Sequence, residues 1–107
     1  MKYKTKKSKS KEKFKTGAHR DSQKDKLRYD LITPYGLKRL AGIYTRGAKI
    51  YGDRNWELGM PMSRLYASAV RHLYQYAMHE PDEDHLAACV WNLMAIMHFE
   101  ETGRKDL

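Results

Sequence analysis

One cysteine, Cys89, stands in these 107 residues. A lone thiol closes no internal disulfide and builds no cysteine-based zinc site, so the fold holds itself without either staple. Long apolar runs are missing as well. No stretch of about 18 apolar residues is present to span a membrane, and no apolar segment follows the N-terminal lysines as a secretory signal requires. A cytoplasmic protein is expected, with no membrane partner. No alternating apolar–polar run of useful β length occurs, and no internal repeat. P-loop, GxGxxG, HExxH and GxSxG arrangements are all absent, which leaves serine-nucleophile chemistry unsupported.

Basic charge is plentiful but confined. Residues 1–16, MKYKTKKSKSKEKFKT, set eight lysines against Glu12, so nearly all of the chain's net +8 sits there. Residues 17–107 are close to neutral. The pI of 9.6 therefore describes a tail, not a domain, and counts against a globular DNA-binding surface. With only Met1, Tyr3 and Phe14 as sizeable apolar residues, the tail buries too little to offset its ordering entropy and is expected to be disordered. It is either a solvated extension or a weak, non-specific contact for nucleic acid. The remainder, 17–107, is long enough for one domain.

That remainder reads as all-α. Residues 17–33 form an extended lead-in that turns apolar at Leu27, Tyr29, Leu31 and Ile32, residues expected to find burial. Thr33 as N-cap and Pro34 in the first turn open a helix. Its apolar face recurs through Leu37, Leu40, Ala41, Tyr44, Ala48 and Tyr51, and Gly52 ends it. A second helix over about 62–79 follows Pro61 and Ser63, with Leu65, Ala69, His72, Leu73 and Tyr76 on one side. Asp82, Glu83 and Asp84 place negative charge at the start of a third helix, about 83–101. That helix is apolar nearly all round and belongs at the centre of a bundle or against a second subunit. Three helices give a thin core, so the small bundle is expected to be completed by homo-oligomerisation.

Chemistry-bearing residues concentrate between the first two helices, in YGDRNWE (51–57). Arg54 offers a planar fork for phosphate or carboxylate. Tyr51 and Trp56 offer faces for a base, and Asn55 both donates and accepts. Asp53 and Glu57 hold a cation or neutralise Arg54. The same residues also suit a structured loop in which Arg54 pairs with a neighbouring acid and Trp56 plugs the core. Arg64, Ser68, Arg71 and Gln75 share one side of the second helix, hardware for phosphates or a plain solvated stripe. His72 lies on the apolar side of that helix. His85 and Asn92 are about two turns apart on the third, flanking Ala88 and Cys89; they border a concavity or make helix–helix hydrogen bonds.

Taken in order, RYDLITPYGLKRLA, YTRGAKIYGDRNWELGMPMSR, SAVRHLYQY and DEDHLAACVWNLMAIMHFEE resemble the phage family described as the dATP/dGTP diphosphohydrolase N-terminal domain. The resemblance covers about residues 17–101. It implies hydrolysis of a purine deoxynucleoside triphosphate to the monophosphate and pyrophosphate with Mg²⁺, in the cytoplasm of a phage's host. Arg54, Arg64 and Arg71 then grip phosphates, Tyr51 or Trp56 stacks on the base, Asn55, His85 and Asn92 supply orienting hydrogen bonds, and His72 is a further nucleotide-binding candidate. Asp53, Glu57 and Asp84 are the expected Mg²⁺ ligands, and His85 and Asp84 the catalytic candidates. MazG-type all-α pyrophosphatases hold magnesium with paired acids three residues apart on helices. Here the only ExxE, Glu80 to Glu83, is interrupted by Pro81, and no ExxD lies on the third helix. Two further readings follow: a non-catalytic protein that sequesters a nucleotide immune signal, and an adaptor working through the lysine tail.

Overall fold

A computed structural model describes residues 11–107. Residues 1–10 lie outside that description, and with them most of the lysine tail and the readings that rest on it. The chain divides into two units, Met1–Ile32 and Thr33–Leu107.

In the first unit, β1 (Lys11–Lys13) pairs antiparallel with β2 (His19–Asp21), and Lys11 stands opposite Asp21. The sequence reading assigns residues 11–16 to the tail and expects no strand. Its basis was apolar alternation, and KEK and HRD have none. Cross-strand charge supports the pair instead: Lys11 Nζ lies 2.7 Å from Asp21 Oδ1. Gly17, at φ 92°, closes the turn in a conformation that side chains disfavour. Beyond the hairpin, a short 3-10 turn spans Tyr29–Leu31, and Arg28 forks onto Asp30. Leu27, Tyr29, Leu31 and Ile32 find no burial within this first unit.

The second unit is a three-helix bundle, α1 (Pro34–Tyr51), α2 (Met62–Ala77) and α3 (His85–Glu101). The Thr33 hydroxyl accepts from Gly36 N–H at 3.3 Å, capping α1 as its sequence predicts. Gly52, at φ 97°, ends it. The Asp84 carboxylate caps α3 by accepting from Ala87 N–H at 3.2 Å. The start of α2 differs from expectation. Ser63 makes no cap; the Met62 N–H donates to the Leu107 carbonyl at 3.0 Å, so the end of the chain supplies the acceptor.

Packing is lopsided. The predicted face of α2 buries Leu65, Ala69 and His72 against α3, which buries Ala87, Ala88, Cys89, Asn92, Ala95 and Phe99. Small side chains along this seam let the two helices approach closely. Leu65, Ala95 and Phe99 form the core, with Trp56, Met60, Met62, Trp91, Ile96 and Leu107 packed around them. Full burial of Leu65 and Phe99 contributes about 1.5–3 kcal/mol each. By contrast α1 rests on α3 and buries Leu40 alone, while Leu37 and Tyr51 of its predicted face are exposed. On α3, Val90, Leu93, Met94 and Met97 recur at three- and four-residue steps and stay exposed. No helix among the described residues is long and apolar enough to cross a membrane.

Candidate functional site

Because α1 leans on α3 and scarcely meets α2, a cleft of about 800 Å³ opens between them, bordered by both helices, the inter-helix segment and α3. Its basic lining comes from three elements: Arg46 from α1, Arg54 from the loop and Arg64 from α2. Tyr44, Tyr51, Trp56 and Trp91 add aromatic surface, while Asp53, Asn55, Ser68, His72 and Asn92 add polar groups. Gly47 also borders it, with nothing within 4 Å of the place a Cβ would occupy. Three guanidiniums around a partly aromatic hollow of this size suit an anionic ligand with a flat, apolar part.

The loop that brings Arg54 here is heavily constrained. Arg54 sits in the left-handed region at φ 57°, and a short 3-10 turn covers Asn55–Leu58. The Arg54 guanidinium lies 3.1 Å from Glu57 Oε1. After α3, Arg104 reaches back to donate to the carbonyls of Glu57 at 3.4 Å and Leu58 at 3.2 Å, and stands over the Phe99 ring. Gly59, at φ 113°, is required where a Cβ would meet Arg104 Nη2 at 2.6 Å. Trp56 is largely spoken for. Its ring meets those of Tyr44, Trp91, His98 and Phe99 edge-on, at centroid separations of 4.8 to 6.3 Å. The plug reading of Trp56 describes it better than a free stacking face. Tyr51, exposed at 70%, keeps its ring available beside the cleft.

Not every expected site residue comes here. Arg71 is outside the cleft lining, with Nη2 3.4 Å from Ser68 Oγ and 3.5 Å from His72 Nε2. The acids proposed for Mg²⁺ are scattered. Glu57 is paired with Arg54; Asp84 caps α3 and takes both arms of Arg39, at 2.9 and 2.6 Å. The Arg39 guanidinium holds the Asp84 carboxyl below its usual range. Of the three, only Asp53 borders the cleft. Among the described residues none of them joins a three-ligand cluster, so the expected Mg²⁺ cage does not fit this geometry. Asp84, the expected catalytic acid, is engaged in that cap and ion pair and stands outside the cleft lining.

His85 instead belongs to a buried chain that sequence spacing does not reveal. Its Nε2 lies 2.7 Å from Asp82 Oδ1, and its Nδ1 lies 2.9 Å from His72 Nδ1. The hydrogen bond from His85 holds the Asp82 carboxyl below its usual range. An ionised Asp82 only accepts, so His85 carries its proton on Nε2, and His72 donates from Nδ1 to the bare Nδ1 of His85. Burial holds the His72 imidazole below its usual pKa, favouring the neutral form. Glu83 joins the two imidazoles as a third possible ligand, all three ligand atoms lying within 4.8 Å of one another. His72 and Glu83 border the cleft, whereas Glu83 and His85 border a second hollow of about 390 Å³ with Arg39, Tyr76 and Asp84. Asn92, expected beside His85, is buried on the cleft side and donates to the Ala88 carbonyl at 2.8 Å.

Arg46 and Trp91 are lining residues that the sequence reading does not single out. The available signal was the run Ile43, Arg46, Gly47 and Ile50, which shares one side of α1 at helical steps. Residues 16–106 match the family model described as dATP/dGTP diphosphohydrolase, N-terminal. No curated protein and no solved structure matches the chain.

Proposed function

The chain belongs to the dATP/dGTP diphosphohydrolase N-terminal family, and on that premise we propose that its α1–α2 cleft binds a purine deoxynucleoside triphosphate. The observation that carries this reading is the convergence of Arg46, Arg54 and Arg64, from three separate elements, on one partly aromatic hollow. The guanidiniums take the phosphates as charge-assisted, two-pronged donors. Tyr51 supplies ring surface to the base, and Asn55 and Asn92 supply amide groups to orient it. The activity implied by the family description is hydrolysis to the monophosphate and pyrophosphate. Asp53 is the one acid of the expected set left beside the phosphates, and no step is assigned to a metal there.

A second reading keeps the pocket and drops the reaction. It is favoured by the engagement of Glu57 and Asp84 with arginines and by their absence from the cleft lining, where Asp53 and Glu83 are the carboxylates. In that case the protein sequesters its nucleotide, in the manner of an anti-defence sponge. Incubation with dGTP or dATP and Mg²⁺ separates the two. Pyrophosphate release at a rate proportional to protein supports hydrolysis; stoichiometric recovery of intact nucleotide after heat denaturation supports sequestration. Absence of both binding and turnover with either nucleotide defeats the cleft assignment.

The exposed Val90–Leu93–Met94–Met97 stripe supports self-association, since apolar rows at helical spacing pack readily against a second copy. Leu93→Glu is expected to turn an oligomer into a monomer by light scattering. A wild-type chain already monomeric at about 100 µM would remove this part.

A further inference from the structure

We propose that His72, His85 and Glu83 form a binding site for a borderline transition-metal dication, of the Zn²⁺ or Co²⁺ class, where α2 meets the entrance of α3. The donor set is two imidazole nitrogens and one carboxylate, which suits such ions better than magnesium, a hard cation that takes oxygen. The three ligand atoms already lie within 4.8 Å of one another, and the two Nδ1 atoms are 2.9 Å apart. Around a tetrahedral zinc with N ligands at 2.0–2.1 Å, neighbouring nitrogens stand roughly 3.3 Å apart. Admitting the ion requires the two nitrogens to part by a few tenths of an ångström and both rings, whose centroids stand 5.2 Å apart with their Nδ1 atoms head-on, to turn until their lone pairs converge on it.

Outer contacts have the form that a ligating histidine needs. His85 donates from Nε2 to Asp82 at 2.7 Å, which fixes the ring and leaves Nδ1 bare, facing His72. A carboxylate behind an imidazole in this way orients it and raises its basicity toward a metal. Loading the ion moves one proton within His72, from Nδ1 to Nε2, with no net release. Arg71, whose Nη2 is 3.5 Å from that Nε2, is on the surface and swings aside. Three protein ligands leave a fourth position open, the pattern of a metal that meets a substrate or water. His72 and Glu83 both border the cleft, so the open position lies within reach of its contents. The site itself does not depend on what the cleft holds.

The test uses the full chain and the metal alone, without nucleotide. One equivalent of Co²⁺ should develop visible d–d bands, and Zn²⁺ should abolish them by displacement. Glu83 is exposed, so Glu83→Gln is expected to fold and to weaken binding about tenfold or more. Asp82→Asn, acting through His85, should weaken it about 10- to 100-fold. His85→Gln should abolish binding; if it fails to fold, the other two variants carry the test. Nitrogen-15 correlation spectra of the imidazoles should show the His72 proton on Nδ1 in the free protein and on Nε2 once zinc is added. No stoichiometric binding at roughly 100 µM, or equal affinity in Glu83→Gln and Asp82→Asn, overturns the proposal. Nucleotide binding that fails while cobalt binding succeeds would sink the cleft reading and leave this one standing.

Discussion

The two amphipathic helices, α1 and α2, are built from similar patterns yet pack differently on the apolar α3. Along α2–α3, alanines, Cys89, Leu65 and Phe99 close the seam and bury it. Along α1, the apolar residues outnumber the places to bury them: Leu40 alone is fully buried, with Ile43, Tyr44 and Ala48 half-buried. On the proposed reading, the difference separates stability from ligand binding. The tight pair fixes the floor; the loosely seated helix stands away from α2 and leaves room for a ligand. Self-association or ligand binding would then cover surface that the monomer leaves bare.

The sharpest way to break this contrast is to truncate one apolar residue on each side. Phe99 is 1% exposed and touches Trp56 and Arg104. Phe99→Ala should cost about 3–5 kcal/mol, the usual loss for a buried aromatic. Leu37, 57% exposed on α1, should cost no more than about 0.5 kcal/mol on replacement by alanine. Urea denaturation of the two variants decides it. Similar losses would mean that α1 is held as firmly as the core.

Next in size are the cleft arginines. Arg46→Ala, Arg54→Ala and Arg64→Ala should each weaken dGTP or dATP binding by about tenfold or more, because each removes a charge-assisted contact. Arg39→Ala, whose partner is Asp84 away from the cleft lining, is the matched control and should not. Thermal shift against a nucleotide series reads both. A loss confined to Arg39→Ala would move the ligand to the second hollow.

How much of this was legible beforehand follows the range of the interactions. Thr33, Pro34, Gly52 and Asp84 act within one helical turn, and each was placed correctly from local chemistry. YGDRNWE is dense in the sequence, and its structured-loop reading matches the Arg54–Glu57 pair and the packing of Trp56 on the core, while Arg54 and Asn55 also border the cleft. What escaped depends on how elements meet in space. His72 and His85 are thirteen residues apart, and only the crossing of α2 over α3 makes them neighbours. The pairing of Glu57 with Arg54 was one of two readings the sequence left open, whereas the reach of Arg39 to Asp84, forty-five residues away, is not legible in it. The hairpin has no apolar alternation to betray it.

A smaller effect follows from burying His72 on the tight side of the molecule. Its folded pKa is depressed by burial, with Arg71 and His85 lowering it further and Glu83 and Asp82 raising it. An unfolded chain thus binds a proton at this residue more readily than the native one. Stability from this group is complete above the unfolded value, about 6.5, and is lost as pH falls from there toward the depressed folded value. Asp82 and Asp84, also depressed, lose their contributions only in the carboxylate range below. Urea midpoints measured from pH 7.5 to 5 should therefore fall with pH, and His72→Gln should flatten that slope. An unchanged slope would remove His72 as its source.

The smallest expected effect is also the most discriminating, because it separates two residues that sequence treats alike. Arg64 and Arg71 are two turns apart on α2 and look equally suited to phosphate. The structure divides them: Arg64 borders the cleft, while Arg71 rests near Ser68 and His72 beyond its lining. Arg71→Ala should accordingly leave nucleotide affinity within about twofold, the scale of a surface change that touches no ligand, while Arg64→Ala lowers it. Isothermal titration of the two variants against one nucleotide makes the comparison. If both fell equally, the phosphates would extend along α2 past the cleft, toward the paired imidazoles. The ligand would then bridge the loosely packed and the tightly packed halves of the bundle.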